Sequence, residues 1–241
     1  MARVLVTGAG RGLGLAFVQN ALQRGDQIFA CVRTPVKAEA LQALVAKHPE
    51  QLTLLKLEVT SQDDINAAVK EVSQSVDGLD LLINNAGINS MSQGKDKAGS
   101  TLRLNELETD AMLWMFQVNS VAPVMIARSF LPLLEKGDKP AILNVSSWLG
   151  SISGKTRGAN YGYCASKTTL NMLMRALAFD VKEQGVRVIL FNPGWVQTDM
   201  GGSKASLTPE ESTSSMRDTL DSLSLEDSGG FFDWNGIPHA W

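Results

Sequence analysis

The sequence has little of what several protein classes require. Its 241 residues contain two cysteines, Cys31 and Cys164, too few to suggest a disulfide framework. It has no run of about 18 apolar residues, so no membrane-spanning helix is predicted, and no targeting segment is recognisable. The net charge is −3 and lysines and arginines do not cluster, so no surface for nucleic acid or anionic membrane is predicted. We expect a cytoplasmic protein and predict no metal site.

What the chain does contain is a regular alternation of two kinds of segment. Short apolar runs predict strands at 3–7, 27–32, 51–59, 79–87, 141–147 and 186–194, with an edge strand at 229–234. Amphipathic runs predict helices near 12–24, 37–47, 61–75, 109–135, 161–184 and 209–222. This alternation is βαβ organisation. We therefore predict one α/β domain over 1–241, with a doubly wound Rossmann-type fold, a mostly parallel sheet of six or seven strands, and helices on both faces.

Two of the predicted helices begin with capping chemistry. Thr208 stands before Pro209 and Glu211 occupies the capping-box position, so a helix is expected to begin there. Ser61 is a second expected N-cap. The polar, glycine-containing segment 90–103 predicts an exposed loop.

The first predicted strand runs into the glycine-rich stretch TGAGRGLG at residues 7–14. The spacing of Gly8, Gly12 and Gly14 differs from the G-x-G-x-x-G fingerprint of dinucleotide sites but meets the same physical requirement. A tight turn needs glycine, and a pyrophosphate must reach the N–H groups of a helix N-terminus without meeting a Cβ atom. A glycine-rich turn without a ligand is the alternative. The position after the first strand of a βαβ series favours the dinucleotide.

The second predicted strand indicates which dinucleotide to expect. It ends at Arg33 without the acidic residue that usually accepts from the ribose 2′-hydroxyl of NAD. Arg33 and Arg11 are able to pair with the 2′-phosphate of NADP, so NADP(H) is the predicted cofactor. Glu58 and Val59 end the third predicted strand and are expected near the adenine, although Glu58 is equally a solvated strand end.

Tyr163 and Lys167 stand four residues apart, so they share one face of a predicted helix. An ammonium close to a phenolate lowers the pKa of the phenol, which would make Tyr163 a general acid for carbonyl reduction. The alternative is that Lys167 is a solvated surface residue. Ser146 and Ser147 end the fifth predicted strand, at the sheet edge where open α/β folds bind ligands. A serine hydroxyl there is expected to hold a substrate carbonyl, with a turn-capping role as the alternative for Ser146.

Asn119 lies in the predicted helix 109–135, four residues before Pro123. Proline has no N–H, so the Asn119 carbonyl loses its helical partner and the helix is expected to kink. A freed buried carbonyl needs a donor, and an ordered water leading protons towards Lys167 is predicted there. A packing kink without a water is an equal alternative.

Six segments together carry a resemblance that covers nearly the whole chain. They are TGAGRGLG (7–14), NNAG (84–87), Asn119, NVSSWLG (144–150), YCASK (163–167) and NPGWVQT (192–198). In this order and spacing they resemble the short-chain dehydrogenase/reductase family. Within that family, the chain is similar to the carbonyl reductases grouped with sniffer and with the myxobacterial C-factor. The closer likeness rests on FNPGWVQTDMGG (191–202), LTPEES (207–212) and FFDWNG (231–236).

The resemblance implies a catalytic tetrad and a set of cofactor contacts. The tetrad is Asn119, Ser147, Tyr163 and Lys167. Ser147 is implied, and not Ser146, because the family's serine stands three residues before a glycine, here Gly150. Lys167 and Tyr163 would also contact the cofactor, Lys167 through the nicotinamide ribose. The other implied cofactor-binding residues are Gly8, Arg11, Gly12, Leu13, Gly14, Arg33, Glu58, Val59, Asn85, Ala86, Gly87, Pro193, Gly194, Val196 and Thr198.

The substrate side carries weaker signals. Trp148 and Trp195 are expected either to line an apolar pocket for a carbonyl or quinone substrate, or to pack in the core. Ser147 and Tyr163 are sixteen positions apart, slightly more than is usual in the family, so the loop between them should reshape the substrate mouth. Residues 201–222 are predicted to form a lid.

The helix 109–135 is apolar on most of its circumference, which predicts a second covering surface. A homodimer through the helices 109–135 and 161–184 is therefore expected, with a monomer as the alternative.

Taken together, the residues and the resemblance predict an NADP(H)-dependent oxidoreductase. It would reduce an aldehyde, ketone or quinone to an alcohol, with Tyr163 as the general acid. The alternative is a C-factor-like dinucleotide-binding protein with a signalling or regulatory role and secondary or no catalysis.

Overall fold

The computed structural model describes residues 1–89 and 100–241. Within these residues, seven parallel strands form one sheet in the order β3-β2-β1-β4-β5-β6-β7. The strands are β1 Arg3–Thr7, β2 Gln27–Val32, β3 Leu52–Lys56, β4 Leu81–Asn84, β5 Ala141–Val145, β6 Arg187–Asn192 and β7 Phe231–Asp233. The predicted doubly wound α/β fold is confirmed, and the predicted edge strand is β7.

Helices cover both faces of this sheet. They are α1 Gly12–Gln23, α2 Glu39–Lys47, α3 Gln62–Ser75, α4 Thr109–Phe116, α5 Ala122–Leu134, α6 Tyr161–Asp180 and α7 Pro209–Ser222. Ser61 and Thr208 are the N-caps of α3 and α7, as predicted. Residues 90–99 of the predicted loop 90–103 lie outside the described residues. Across the described ranges, no helix has the length and apolar character needed to cross a membrane.

Each face of the sheet is buried in its own core. Along β1, Val4 and Val6 enter one core with Phe17 of α1, whereas Leu5 enters the other core with Phe130 of α5. All of these side chains are fully buried. Because helices exclude water from both faces, the strands are apolar at consecutive positions and do not alternate.

The position of the ligand crevice follows from where the chain crosses the sheet. From β1 the chain builds β2 and β3 on one side, and it then crosses to β4 on the other side of β1. Open α/β sheets bind ligands outside the carboxyl ends of their strands at such a switch point. The loops that follow β1, β4 and β5 are therefore the candidate site.

Several strands are shorter than the sequence predicts, and β3 and β4 differ the most. The predicted strand 79–87 ends at Asn84, because the N–H groups of Asn85 and Ala86 donate to Thr7 Oγ1 at 3.0 and 3.1 Å and not to a neighbouring strand. The predicted strand 51–59 ends at residue 56, although Leu57 and Val59 remain buried. Residues beyond the strand ends are still buried, which produced the longer apolar runs.

The predicted helix 109–135 is interrupted in its middle. A π-helical turn at Gln117–Val121, which contains Asn119, joins α4 to α5. Pro123 in the first turn of α5 supplies no N–H to the preceding residues, so a regular helical ladder is not possible there. Such turns are frequent at functional sites. The kink predicted from Pro123 takes this form, and the water at the Asn119 carbonyl stays a prediction.

Helix α7 is anchored in the core. Met216 and Leu220 are 0% and 2% exposed. Arg217 Nη2 lies 3.3 Å from Asp26 Oδ2, and separating such a buried pair would leave an uncompensated charge. The lid over 201–222 stays a prediction, and these contacts restrict the part able to move to the residues before α7.

Candidate active site

The turn between β1 and α1 requires glycine at two positions in particular. Gly8 has a φ of +64°, and a Cβ atom there would lie 2.9 Å from the Ala86 Cα. A Cβ atom at Gly14 would lie 2.2 Å from the Gly8 carbonyl oxygen, which is too close for any side chain. Leu13, between them, packs partly against the core. The glycine spacing is thus imposed by contacts within the turn and with the loop after β4.

Thr7 and Asn85 fix the shape of this turn. Asn85 Nδ2 donates to the carbonyl oxygens of Thr7 and Gly8 at 2.9 and 3.1 Å. Thr7 Oγ1 in turn donates to the Ile83 carbonyl oxygen at 3.2 Å. The side chain of Asn85, predicted as a cofactor contact, is therefore engaged by protein backbone and holds the glycine turn in place.

The N-terminus of α1 is open to an anion. Among the described residues, none caps it with a side chain, whereas α3 and α7 are capped by Ser61 and Thr208. Unpaired N–H groups and the helix dipole favour a phosphate at such an end. A groove of about 760 Å³ opens there, with Arg11, Gly12 and Thr198 among its lining residues. The turn and this helix end fit the pyrophosphate of a dinucleotide.

The two predicted phosphate-binding arginines are exposed. The side chains of Arg11 and Arg33 are each 73% exposed. Arg11 pairs with Asp199 at 2.5 Å, and Arg33 Nε lies 4.0 Å from Glu58 Oε2. Exposed pairs of this kind contribute little, so both guanidinium groups are available to a phosphate. Glu58 Oε1 also accepts from the N–H and hydroxyl groups of Thr60, which makes Glu58 a cap for the turn after β3.

The two serines that follow β5 differ in environment. The Ser146 hydroxyl donates to Asn171 Oδ1 at 2.6 Å and is buried. Ser147 Oγ accepts from the Leu149 N–H at 3.2 Å, and the Ser147 side chain is near enough to Tyr163 to act on the pKa of its phenol. Ser146 is thus committed to the core, whereas Ser147 faces Tyr163.

Lys167 and Tyr163 form the centre of the site, where Lys167 is buried and Tyr163 is half-buried. Lys167 is 4% exposed, and its Nζ donates to the Val145 carbonyl oxygen at 2.8 Å and lies 5.9 Å from the Tyr163 ring centroid. Burial lowers the pKa of Lys167 to about 8. Burial also raises the pKa of Tyr163 to about 12, and the Ser147 side chain acts in the opposite direction. The Tyr163 pKa is therefore raised and not lowered as predicted, because desolvation of the phenolate is the largest influence on it.

The π-helical turn brings Asn119 to the same place. Asn119 Oδ1 accepts from the Ile88 N–H and Nδ2 donates to the Ile88 carbonyl oxygen, both at 2.8 Å. A Cβ atom at Gly87 would lie 3.3 Å from Asn119 Oδ1 and 3.7 Å from Lys167 Nζ. The predicted catalytic residues thus converge at the carboxyl ends of β4 and β5.

The loop after β6 borders the glycine turn. The Pro193 carbonyl accepts from a hydroxyl of α7 at 2.7 Å, and Gly194 has a φ of +79°. Val196 is buried. A Cβ atom at Gly12 would lie 3.2 Å from Thr198 Cγ2. Thr198, a predicted cofactor contact in this loop, therefore faces the start of α1.

Trp148 and Trp195 do not pack in the core. Their exposed fractions are 52% and 54%, and Ile152 in the loop before α6 is 72% exposed. The same loop is held at Ser153, whose N–H and hydroxyl groups donate to the Trp241 carbonyl at 2.9 and 2.5 Å. Exposed apolar side chains after Ser147 and after Gly194 favour an apolar ligand.

No role was predicted for three polar residues that support the site, namely Thr7, Asn171 and Asn192, although Thr7 and Asn192 begin two of the motifs. A positional signal does exist for two of them. Thr7 and Asn192 each end an apolar strand at the carboxyl edge of the sheet, where ligands bind. Asn171 follows Lys167 by four residues, on the same face of α6.

A family comparison decides the assignment. Residues 2–208 match the family model described as short chain dehydrogenase. The match extends from β1 to the start of α7, so it includes the glycine turn and the Tyr163–Lys167 centre. The chain belongs to the short-chain dehydrogenase family. It is an oxidoreductase of the short-chain dehydrogenase type.

Short-chain dehydrogenases of known structure are similar along the whole chain. The NADPH-bound carbonyl reductase from chicken fatty liver is 37% identical, with a TM-score of 0.91 over 100% of this chain and 99% of that chain. The carbonyl reductase Sniffer of D. melanogaster is 34% identical, with a TM-score of 0.91 over 100% of both chains. The C-signal of Myxococcus xanthus is 36% identical over 163 residues, which are 68% of this chain and 93% of that protein. The predicted resemblance to this group is confirmed.

We expect Lys167→Met to stabilise this short-chain dehydrogenase near neutral pH. The unfolded chain binds a proton at Lys167 up to the ordinary pKa of 10.5, whereas burial lowers the pKa in the folded chain to about 8. Between these values the unfolded state holds more protons, so this group makes the free energy of unfolding rise with pH. At pH 7 the variant should gain roughly 2 kcal/mol, after about 1 kcal/mol is lost with the Val145 hydrogen bond.

Urea unfolding at pH 7 and pH 10 measures this effect. The gain should shrink between the two values, while the exposed Lys70→Met control should show the same small change at both. No gain at pH 7, or an equal gain at pH 10, would contradict a desolvated Lys167.

Proposed function

We propose that this short-chain dehydrogenase reduces an aldehyde, ketone or quinone to an alcohol with NADPH. The observation that carries the proposal is that Ser147 faces the half-buried Tyr163, one helical turn from the buried Lys167. Two similar structures support it, since the protein from chicken fatty liver is an NADPH-bound carbonyl reductase and Sniffer is a carbonyl reductase.

Ser147 and Tyr163 are the groups that would handle the substrate oxygen. A carbonyl oxygen placed between them accepts from both hydroxyls, which polarises the carbonyl. When bound, NADPH supplies the hydride for the carbonyl carbon. Because burial raises the pKa of Tyr163 to about 12, the phenol is protonated at neutral pH and able to donate to the developing alkoxide. The Lys167 ammonium favours the resulting phenolate.

Asn119 and Lys167 would return the proton to Tyr163. Asn119 Nδ2 also donates to Ser166 Oγ at 3.0 Å, so the π-helical turn is tied to the residue before Lys167. We assign Asn119 the role of holding the loop after β4 and the lysine in register. A water on the Asn119 carbonyl would complete a path from solvent to Lys167.

The preference for NADPH rests on charge at the carboxyl edge of the sheet. Arg33 follows β2 directly, in the place where an acidic residue would favour NAD. Arg11 lies in the turn that would hold the pyrophosphate. Both guanidinium groups are exposed and weakly paired. Binding of a 2′-phosphate would replace these weak ion pairs with charge-assisted hydrogen bonds.

The segment before α7 is the proposed lid. Gly202 has a φ of +78°, and Trp195 Nε1 donates to the Gly201 carbonyl at 2.8 Å. Gln197 Nε2 also donates to the Ala205 carbonyl at 3.0 Å. Opening would require the loss of these contacts and of the backbone hydrogen bonds between the segment and the loop after β6, whereas α7 would stay in the core.

A signalling or regulatory role is the second candidate function. Its support is the 36% identity with the C-signal of Myxococcus xanthus. NADPH oxidation against a panel of aldehydes, ketones and quinones separates the two candidates. NADPH binding without oxidation of any panel member would favour the regulatory role.

We also propose a homodimer through α4 and α6. Met172 and Phe179 on α6 are 69% and 68% exposed, and Leu113 on α4 is 60% exposed. Exposed large apolar side chains on neighbouring helices are typical of a surface that a partner covers.

Tyr163→Phe should retain NADPH binding and lose most turnover. Removal of a general acid lowers turnover by at least about 100-fold, whereas the ring keeps its packing. Steady-state kcat and the NADPH Kd from fluorescence titration measure the two effects. Tyr161→Phe is the matched control, since that phenol is 38% exposed, and it should keep near-normal kcat. Unchanged turnover in Tyr163→Phe would refute the assignment.

Arg33→Ala should weaken NADPH binding far more than NADH binding. Loss of a charge-assisted hydrogen bond to the 2′-phosphate predicts a rise in the NADPH Kd of about 10- to 100-fold. The NADH Kd should remain within about twofold, because NADH has no such phosphate. Arg128→Ala, at an exposed position on α5, is the control. Equal losses of affinity for NADPH and NADH would contradict a contact between Arg33 and the 2′-phosphate.

Phe179→Lys should dissociate the proposed dimer. A lysine in the centre of an apolar interface leaves a desolvated charge. Sedimentation velocity measures the mass, and Val36→Lys, at a position 79% exposed and distant from α6, should leave the mass unchanged. A monomeric wild-type protein would contradict the dimer.

A further inference from the structure

A polar pair lies at the carboxyl ends of β6 and β7, beside the site but outside the predicted tetrad. Asn192 is the last residue of β6, and the sheet register places it opposite Asp233, the last residue of β7. Asn192 is 7% exposed. Since a buried amide must find its hydrogen bonds within the protein, its partners indicate its task.

The Asn192 side-chain oxygen joins two loops of the site. Oδ1 accepts from the Trp148 N–H at 3.1 Å and from the Gly194 N–H at 3.3 Å. Trp148 directly follows Ser147, and Gly194 lies in the turn between β6 and the predicted cofactor contacts Val196 and Thr198. One acceptor atom therefore sets the distance between the loop of the proposed catalytic serine and the loop after β6.

Asp233 fixes the orientation of that amide. Asn192 Nδ2 donates to Asp233 Oδ1 at 2.7 Å, and an ionised carboxylate only accepts. A flipped amide would place its NH₂ against two N–H donors and its oxygen against the carboxylate. Asp233 is itself held by the C-terminal segment, since its N–H donates to the Ile237 carbonyl at 2.8 Å and His239 Nε2 lies 3.7 Å from Oδ1.

We propose that Asn192 and Asp233 are positioning residues for the carbonyl reduction, a role that rests on the proposed function above. The Asn192–Asp233 pair would hold the Trp148 N–H, and with it the adjacent Ser147 hydroxyl, at the position from which Ser147 meets Tyr163. Displacement of a reacting group by about 1 Å costs up to about 100-fold in rate. The pair would therefore act on turnover and leave the dinucleotide affinity largely intact.

Reversing the polarity of the pair is the sharpest test. In Asn192→Asp, two carboxylates face each other and the contact is repulsive. In Asp233→Asn, the amide orientation is no longer fixed by a charge. The double variant Asn192→Asp/Asp233→Asn restores one acceptor for the two N–H groups and one amide donor across the pair, with the net charge of the wild type. Asp63→Asn, exposed on α3, is the control.

For kcat, we expect Asn192→Asp to lose about 10- to 100-fold, with the NADPH Kd within about threefold. Asp233→Asn should lose less, and the double variant should recover to within about threefold of the wild type. A role in stability without positioning would instead lower the melting temperature and leave kcat of the folded fraction unchanged. Either that result or a double variant as slow as Asn192→Asp would overturn the proposal.

Amide hydrogen exchange at Trp148 tests the pair without reference to activity. Exchange of the Trp148 N–H should be at least about tenfold faster in Asn192→Ala and in Asp233→Ala than in the wild type, since one hydrogen bond is lost. Unchanged exchange in both variants would refute the pair. If the wild type reduces no carbonyl, the proposed function fails while this measurement still decides the contact.

Discussion

The hydrogen bond from Lys167 Nζ to the Val145 carbonyl oxygen is the contact on which the site depends. It joins α6, which carries Tyr163, to the end of β5, which precedes Ser147. A lysine that is 4% exposed is tolerated here because a carbonyl dipole and an aromatic ring replace part of its hydration. The separation of Ser147 from Tyr163 in space is therefore set by the packing of one helix on one strand. The loop between them is free to be long, which reconciles the unusual spacing in the sequence with an intact site.

The order of strands and helices was predictable because burial on both faces of a parallel sheet leaves long apolar runs. The ends of strands were predicted wrongly where residues are buried but lie outside the hydrogen-bonded strand. Val59 is buried but unpaired beyond β3, and Asn85 ends β4 by turning its N–H towards a threonine. Pro123 likewise predicts a break in the helix but not a π-helical turn. That geometry depends on what Asn119 binds, and Ile88 and Ser166 are 31 and 47 residues away.

The structure brings together the residues that motif spacing predicted for the site, whereas their electrostatics were not predictable. Tyr163 and Lys167 share a helix face at any depth of burial, but their pKa values depend on how completely distant side chains exclude water. Desolvation disfavours both charged forms, the phenolate and the ammonium. It therefore raises the pKa of Tyr163 and lowers the pKa of Lys167. Both shifts favour neutral forms, so the folded chain holds its proton on the phenol more firmly than on the amine. The Asn192–Asp233 contact was equally beyond local sequence, because its members are 41 residues apart.

The two ends of the chain stand in different relations to the site. Met1 is 90% exposed and leads into β1 at its amino end, at the sheet edge that faces away from the crevice. The Trp241 carbonyl, in contrast, receives two hydrogen bonds from Ser153, in the loop that borders the substrate side. An affinity tag or fluorescent protein joined after Trp241 would start against that loop and crowd it. A fusion partner for purification or imaging therefore belongs before Met1.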